Sequence, residues 1–188
     1  MAEGRTVLNI ETERLVLRPL VHTDSDSLLD IFSDPVVMEY WDGSPWRTID
    51  QAHAFIHDAH LENERRESLT LGIFARDSGE LHGKCMLFKI HEESKRAELG
   101  FGIAKSSWGK GIALEATSAL VTYAFTTMAL NRLEAEIDPA NFGSARLLER
   151  LGFIKEGYLP ERWIIDGKVS DSALYGLLIK NWQSSHSY

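Results

Sequence analysis

The sequence predicts an α+β domain in which a mixed, mostly antiparallel central sheet is flanked by about four helices. Three strand-like runs between residues 68 and 103 are separated only by the short polar connectors "DSGE" and "HEESK", which is typical of an antiparallel meander. A helical pattern then separates the fourth strand from the fifth, and this order favours a parallel crossover. Two further strands flank the turn "DGK" near the C-terminus.

A strand and a short helix come first. "RLVLRPL" (14–20) alternates and predicts the strand, which Pro19 ends because proline cannot donate to a central ladder. "HTDSDSLLDIFSD" (22–34) predicts the helix, with Thr23 or Asp24 as its N-cap.

A loop and a longer helix follow. Residues 34–47 contain two prolines, a glycine and two tryptophans, which predict a loop with an unusual aromatic content. Residues 48–67 predict a helix whose charged end "ENERRE" is solvated. Its apolar stripe consists of Ala52, Phe55, Ile56 and Ala59.

The middle of the chain predicts the meander and the crossover helix. The three strands are "SLTLGIFAR" (68–76), "LHGKCMLFKI" (81–90) and "RAELGFGI" (96–103). A helix is expected from Gly109 to about Met128. Its apolar positions are Ala116, Ala119, Leu120, Tyr123 and Ala124.

The last third predicts one helix between strands. "RLEAEI" (132–137) is the fifth strand, and "NFGSARLLERLG" (141–152) is a short helix that Gly152 ends. "FIKEGYLPERWI" (153–164) and "VSDSALYGLLI" (169–179) are the final strands. The buried face of the helix consists of Leu147, Leu148 and Leu151.

Length and composition suit one globular domain that spans residues 1–188. Hydrophobic residues make up 44% of the chain and charged residues 26%, which is ordinary globular composition. Twenty Lys and Arg against 28 Asp and Glu give a net charge of −8. This balance argues against a nucleic-acid partner and mildly favours cationic ligands.

Cysteine usage and hydropathy predict a soluble, cytoplasmic protein with no membrane partner. Cys85 is the one cysteine, so no internal disulfide can form, and a reducing compartment is expected. A catalytic thiol is the alternative, but Cys85 lies in the apolar run "CMLFKI", and buried cysteines are usually inert. The N-terminus lacks the layout of a signal peptide, and no run approaches the length of a membrane span.

The stretch "SSWGKGIALEA" (106–116) predicts an anion site. A helix start presents free N–H groups and the positive end of the helix dipole. Gly109 and Gly111 remove side chains that would block an anion, and Lys110 adds a positive charge, so a pyrophosphate is the expected guest. The Walker pattern is absent, and Lys105 stands where the dinucleotide fingerprint needs a glycine. The alternative is a tight strand-to-helix turn with no ligand.

Four segments, in order, carry a resemblance to a known family. They are "ERLVLRPL", "AELGFGIAKSSWGKGIALEA", "NFGSARLLERLGFIKEG" and "DGKVSDSALYGLL", from about Glu13 to Leu178. The sequence resembles the GNAT N-acetyltransferases, in the RimJ/RimL-like branch named for enzymes that acetylate the N-termini of ribosomal proteins. The resemblance implies the GNAT fold and acetyl-CoA as co-substrate, without a metal.

The resemblance assigns the cofactor contacts. The family pattern at the turn is Gln or Arg, two residues, Gly, one residue, then Gly or Ala; Trp108, Gly111 and Ala113 occupy those positions, and Trp108 departs from the pattern. The turn backbone would hold the pyrophosphate of coenzyme A, and the preceding strand edge would pair with pantetheine. The implied contacts are Phe101, Gly102, Ile103, Trp108, Gly109, Lys110, Gly111, Ile112 and Ala113.

Acetyl transfer requires an unprotonated amine. An α-amine has a pKa of about 7.7–8.0 and a lysine amine one of about 10.4, so a modest base suits a protein N-terminus better. Glu98, on the fourth strand, is the first choice for this base. The alternative is a solvated carboxylate paired with Arg96 or Lys95. Glu161 and a water relay are weaker candidates.

The leaving thiolate requires a donor. The family pattern of Asn, two residues, Ser falls on Asn141 and Ser144, which implies that Ser144 donates to the sulfur. Asn141 would contact the pantetheine or the acceptor backbone, or would only cap the helix. Arg146 would reach a cofactor phosphate or is solvated.

The acceptor side is expected at the loop 34–47. Tyr40, Trp41 and Trp46 would wall the acceptor entrance, and Glu39 and Asp42 would attract a cationic amine. The alternative for each aromatic residue is packing of the loop onto the core.

Three histidines share one flank of the second helix. His53, His57 and His60 are spaced by four and three residues, with Glu64 one turn further on. Residues at such spacing can share a metal, but this chemistry needs none. A solvated flank or a pH-sensitive rim is the favoured interpretation.

The sequence therefore predicts an acetyl-CoA-dependent N-acetyltransferase in which a primary amine attacks directly in a ternary complex. A protein N-terminus is the preferred acceptor, and a polyamine or an aminoglycoside is the nearest rival. A non-catalytic acyl-CoA-binding sensor is the alternative from another class. A homodimer stays open.

Overall fold

The computed structural model describes residues 8–186, and its centre is an eight-stranded sheet in the order β1-β2-β3-β4-β5-β6-β8-β7. The strands are β1 (Ile10–Glu11), β2 (Leu15–Arg18), β3 (Leu69–Ala75), β4 (Leu81–His91), β5 (Arg96–Ile103), β6 (Arg132–Ile137), β7 (Ile154–Ile165) and β8 (Lys168–Leu178). All neighbouring pairs among them are antiparallel except β5–β6, which is parallel. This confirms the predicted α+β class, the meander β3–β4–β5 and the parallel crossover.

Five α-helices cover both faces of the sheet. They are α1 (Ser25–Phe32), α2 (Ile49–Arg65), α3 (Ile112–Thr126), α4 (Phe142–Arg150) and α5 (Ile179–His186). α1, α2 and the loop 34–47 build one core cluster with Leu20 and Phe74. α3 and α4 build a larger cluster on the opposite face, where Trp182 of α5 stacks on Phe125. We call the first face the α2 face and the second the α3 face.

The structure shifts several predicted boundaries. Helix α3 begins at Ile112 rather than Gly109, because Gly109 and Gly111 have φ of +72° and +77°, outside the helical range. Asp24 is the N-cap of α1 as predicted, although its carboxylate accepts from Val21 N–H (2.7 Å) and not from the helix. Neither β1 nor α5 is predicted from the sequence, because both are short and weakly patterned.

The pairing of β5 with β6 ends early, and this opens the sheet. The two strands are in register only at Arg96↔Arg132, Ala97↔Leu133 and Glu98↔Glu134. Beyond Glu98, β5 pairs with β4 alone, and beyond Glu134, β6 pairs with β8 alone. A gap therefore separates residues 99–103 from residues 135–137.

Within residues 8–186, no helix is both long and apolar enough to cross a lipid bilayer.

Candidate active site

Two helices begin at the same edge of the sheet, on either side of the gap. Because β5 and β6 are parallel, their carboxyl ends lie at one edge. Helix α3 follows β5 and helix α4 follows β6. Both N-termini, with their free N–H groups, are thus brought to the mouth of the gap.

The open edge of β5 offers backbone hydrogen-bonding groups to the gap. Ala104 N–H donates to His82 O at 2.8 Å, which sets the alternation along β5. Phe101 and Ile103 therefore direct their N–H and C=O groups away from β4, into the gap. The Ile103 carbonyl accepts from the Trp108 indole (2.8 Å), so Trp108 is anchored to the strand before the turn.

The turn before α3 has the form that an anion requires. Added Cβ atoms would meet nothing within 4 Å at Gly109, and at Gly111 only Arg14 Nη2 at 3.4 Å. No side chain caps the helix. No N–H group of residues 109–114 makes a close and well-aligned backbone hydrogen bond within residues 8–186, although residues 108–111 form a turn. An approach path and several weakly engaged donors are present together, which is a fit for a diphosphate.

A neighbouring strand braces this turn, through residues that the sequence does not single out. Arg14 donates to Lys110 O (3.1 Å) and to both oxygens of Glu115, through its own N–H (2.9 Å) and Nε (2.6 Å). Burial raises the pKa of Glu115, but the hydrogen bonds from Thr12 and Arg14 outweigh it and hold the pKa below its ordinary value. Glu115 therefore stays ionised and ties α3 to the start of β2.

The start of α4 is capped by Asn141. Its Oδ1 accepts from Ser144 N–H at 3.0 Å, which confirms the alternative interpretation of Asn141 as an N-cap. The Ser144 hydroxyl makes no hydrogen bond to any of residues 8–186, so it is available to a ligand. Arg146 is exposed, and its Nε lies 3.4 Å from Phe142 O.

Glu98 is the last residue of β5 that pairs with β6, and the gap begins after it. Its carboxylate forms an ion pair with Lys89 at 3.0 Å. The partners expected from the sequence are wrong, since Arg96 bonds Glu134 instead (3.1 Å). The exposed fraction of the Glu98 side chain is 15%, so the ion pair is partly shielded.

A second carboxylate, Glu136, stands on β6 beside the gap and is missed by the sequence reasoning. Its Oε1 accepts from Ser172 Oγ (2.6 Å) and Trp163 Nε1 (3.0 Å), and Arg162 Nε forms an ion pair with the same oxygen at 3.4 Å. Burial raises the pKa of Glu136, but these hydrogen bonds and the Arg162 charge outweigh it, so the carboxylate is ionised. Its Oε2 has no hydrogen-bond partner among residues 8–186. Glu98 and Glu136 both lie on the α2 face, because strand residues alternate and Leu133 and Ala135 enter the α3 cluster.

Glu161, the weaker base candidate, lies on the edge strand β7. It has φ +49°, and its N–H donates to Asp171 Oδ1 at 2.7 Å. The pairing of β7 with β8 is irregular between Leu159 and Trp163, and Glu161 is exposed within this bulge.

The entrance aromatics divide into two kinds. Trp46 packs between Phe32 (ring centroids 5.2 Å apart) and Phe55 (5.5 Å), as the packing alternative predicts. Trp41 lies against β5 instead: its Cζ2 is 2.6 Å from where a Cβ of Gly102 would be. Tyr40 is 37% exposed. The pKa of its hydroxyl is raised by the burial of the remaining part, and next by the negative charges of Glu39 and Asp138.

The loop 34–47 also reaches across the mouth of the gap. Ser44 Oγ donates to Asp166 Oδ2 at 2.8 Å, and Asp166 lies in the turn between β7 and β8. β8 extends through residues 168–172 beyond its last pair with β6, Ile137↔Ala173. The loop over β5 is therefore joined to the hairpin beyond β6.

The histidines of α2 are used separately. His53 stacks on His22 with ring centroids 4.1 Å apart, and His60 Nε2 lies 2.6 Å from Leu20 O. In the part of the chain that the structure describes, no group of three or more His, Cys, Asp or Glu side chains is placed to hold a metal ion.

Cys85 is fully buried, which raises the pKa of its thiol to about 12.

Comparison with known proteins places this arrangement in a family. A family model described as "Acetyltransferase (GNAT) domain" matches residues 14–154. The uncharacterized N-acetyltransferase p20 of Bacillus licheniformis is 36% identical over 174 residues, which cover 91% of this chain and 96% of that protein. The ribosomal protein uS5-alanine N-acetyltransferase of Escherichia coli is 29% identical over 187 residues, 93% of each chain. The crystal structure of an acetyltransferase from Bacillus anthracis superposes with a TM-score of 0.81 at 26% identity, over 91% of this chain and 98% of that one.

Proposed function

The chain belongs to the GNAT acetyltransferase family, and we propose that it acetylates the α-amine of protein N-termini. As a member of this family it is an acetyl-CoA-dependent N-acetyltransferase of the ribosomal-protein acetyltransferase branch. The observation that supports the proposal is the gap between β5 and β6, where a glycine turn open to an anion meets two carboxylates on one face.

The cofactor would lie along the gap. The free N–H groups of residues 109–114 would hold the pyrophosphate, with Lys110 adding charge. Phe101 and Ile103 would pair with the pantetheine amides, as an added strand pairs with a sheet edge. Asn141 and Arg146 stay proposed contacts, although Asn141 also caps α4.

The side chains around the gap divide the chemistry. When bound, acetyl-CoA supplies the acetyl group as a thioester, and the acceptor nitrogen forms the new amide bond as the carbon–sulfur bond breaks. Glu136, ionised and with Oε2 unbonded, would hold the incoming ammonium. Glu98 would take its proton, directly or through a water. Ser144 Oγ would donate to the departing sulfur.

The acceptor class follows from how much help the amine needs. An α-amine with a pKa of about 8 loses its proton near pH 7 with about one unit of assistance, whereas a lysine amine needs more than three. Carboxylates supply negative charge but are not strong bases. The Escherichia coli relative is named as an alanine N-acetyltransferase of ribosomal protein uS5, which supports the same class.

The test is thiol release from acetyl-CoA with matched acceptors. One peptide has a free N-terminus and no lysine, and its control has a blocked N-terminus and an internal lysine. Spermidine and an aminoglycoside complete the set. We expect turnover with the free N-terminus at least about tenfold above the other acceptors. Tight cofactor binding without turnover of any acceptor would instead support the sensor, and preference for spermidine would support the polyamine alternative.

A further inference from the structure

Lys84 is buried on β4 because its neighbours across the sheet have no side chains. It is in register with Gly72 on β3 and with Gly102 on β5. The three residues lie in one row on the α2 face. Leu20 and Phe74 fill the space over Gly72, and Trp41 and Phe32 fill the space over Gly102. Lys84 extends between these groups and is only 4% exposed.

Three aromatic rings surround the Lys84 ammonium. Its Nζ lies 3.9 Å from the ring centroid of Phe55, 4.6 Å from that of Trp41 and 4.9 Å from that of Phe32. Within residues 8–186 it has neither a hydrogen-bond partner nor an ion-pair partner. Such cages are a recognised way to hold ammonium groups, and buried charges are ordinarily paired. Asp42 on the loop 34–47 acts on the ammonium electrostatically but forms no ion pair with it, so a direct counter-charge is missing from the cage.

The cage adjoins the acceptor side of the gap. Trp41 belongs to the loop 34–47, and Gly102 belongs to β5, whose open edge is the proposed path of pantetheine. By contrast, the proposed base Glu98 and the proposed amine-binding Glu136 stand further along the same face. Lys84 and these two carboxylates are thus on one side of the sheet.

We propose that Lys84 is a specificity-determining residue that favours acceptors with a carboxylate near the reacting amine and disfavours acceptors with a second ammonium. This inference rests on the proposed function. It narrows the acceptors to protein N-termini that are followed by an acidic residue, and it excludes polyamines. Two unit charges about 10 Å apart, at an effective dielectric of about 20, change an affinity about tenfold. A negative charge on the peptide should therefore raise its affinity by about this factor, and a positive charge at the same position should lower it by about the same factor.

The test uses three peptides that are alike except for Glu, Gln or Lys at the second position. In the unmodified protein, kcat/KM should fall in the order Glu, Gln, Lys, with a Glu-to-Lys ratio of at least about tenfold. K84M keeps the length of the side chain and loses its charge, so this ratio should fall to about one. K84R keeps the charge and should keep the preference. A ratio that K84M leaves unchanged overturns the role of Lys84.

A second measurement needs no variant. Burial lowers the pKa of Lys84 to about 7, and Asp42 on the loop offsets part of this. The groups against it from α1, α2, β3 and β5 are uncharged: Phe32, Phe55, Gly72 and Gly102. The Glu-to-Lys ratio should therefore be largest at pH 6 and decline by pH 8.5. A ratio independent of pH contradicts the proposal, while turnover of spermidine but of no peptide overturns the proposed acceptor instead.

Discussion

The proposed cofactor half and the proposed acceptor half of the gap are built from different chemical groups. The turn at residues 108–113 and the edge of β5 offer backbone N–H and C=O groups, and the defining residues there are glycines. The acceptor half offers side chains: Trp41, Lys84, Glu98 and Glu136 come from a loop and three strands. A backbone site is encoded in a few consecutive residues, whereas a side-chain site is assembled by the fold.

Gly111→Val tests the proposed backbone site directly and has the largest expected effect. Gly111 has φ +77°, where a branched residue is strained, and a valine would project toward the proposed diphosphate position. We expect the affinity for coenzyme A to fall about a hundredfold, close to 3 kcal/mol. Isothermal titration calorimetry would measure it.

Gly79→Val is the matched control for this substitution. Gly79 has φ +73° and open space around it, but it lies in the turn between β3 and β4. Both variants should lose stability to a similar degree, and only Gly111→Val should lose cofactor affinity. Equal affinities in the two variants would show that the turn before α3 does not hold the cofactor.

Lys84, on the proposed acceptor side, should make the free energy of unfolding depend on pH. The pKa of Lys84 is about 7 in the folded chain and 10.5 by its ordinary value, so between these pH values the unfolded chain binds more protons. The free energy of unfolding therefore rises with pH across that window, by about 2 kcal/mol between pH 7 and 9. K84M removes this dependence.

Urea unfolding of the two proteins at pH 6, 7 and 9 would measure the difference. K84M should be the more stable protein at pH 6 and 7, with an advantage that shrinks by pH 9. An advantage that is constant with pH would mean that Lys84 does not titrate in this range.

The contrast also explains what could be predicted from the sequence. The turn, the meander and the crossover follow from local patterns and are confirmed as secondary structure. The burial of Lys84 depends on Gly72 and Gly102, which become its neighbours only when β3 and β5 pair with β4. No local pattern contains that information.

The ion pairs escaped prediction for the same reason. Lys89 reaches Glu98 from a position with φ +49°, next to an irregularity in the pairing of β4 with β5. Glu136 acquires its hydrogen bonds from Trp163 and Ser172 on two later strands. On the predicted strand, Glu136 falls on the same face as Glu134, and this alternation could have marked it as a site candidate. No local pattern identifies its hydrogen-bond partners.

Ser144→Ala sharpens the division between binding and turnover. The substitution removes a hydroxyl but leaves the N–H that Asn141 caps. We expect kcat to fall about twentyfold, less than for a typical general acid, because a thiolate with a conjugate pKa near 8.5 leaves readily. Cofactor affinity should stay within about twofold.

Asn141→Ala provides the comparison, because it removes the cap and should lower stability by about 1 kcal/mol. Steady-state kinetics and thermal unfolding of both variants would separate the two effects. An equal loss of kcat and of cofactor affinity in Ser144→Ala would assign Ser144 to binding.

The smallest expected effects distinguish the two carboxylates. Glu98→Gln should lower kcat about tenfold and move the pH–rate profile to higher pH, because the α-amine needs only about one pKa unit of help. Glu136→Gln should raise the KM for the amine about tenfold and leave the profile in place. Profiles from pH 6 to 9.5 would measure both, and a shift in Glu136→Gln alone would exchange the two roles.

The hydrogen bond from Ser44 to Asp166 joins the loop 34–47 to the turn between β7 and β8, 122 positions further along the chain. Both side chains are exposed, so water can replace either partner while the sheet stays intact. The loop that carries Trp41 is therefore fastened at this point by a contact that can open and close.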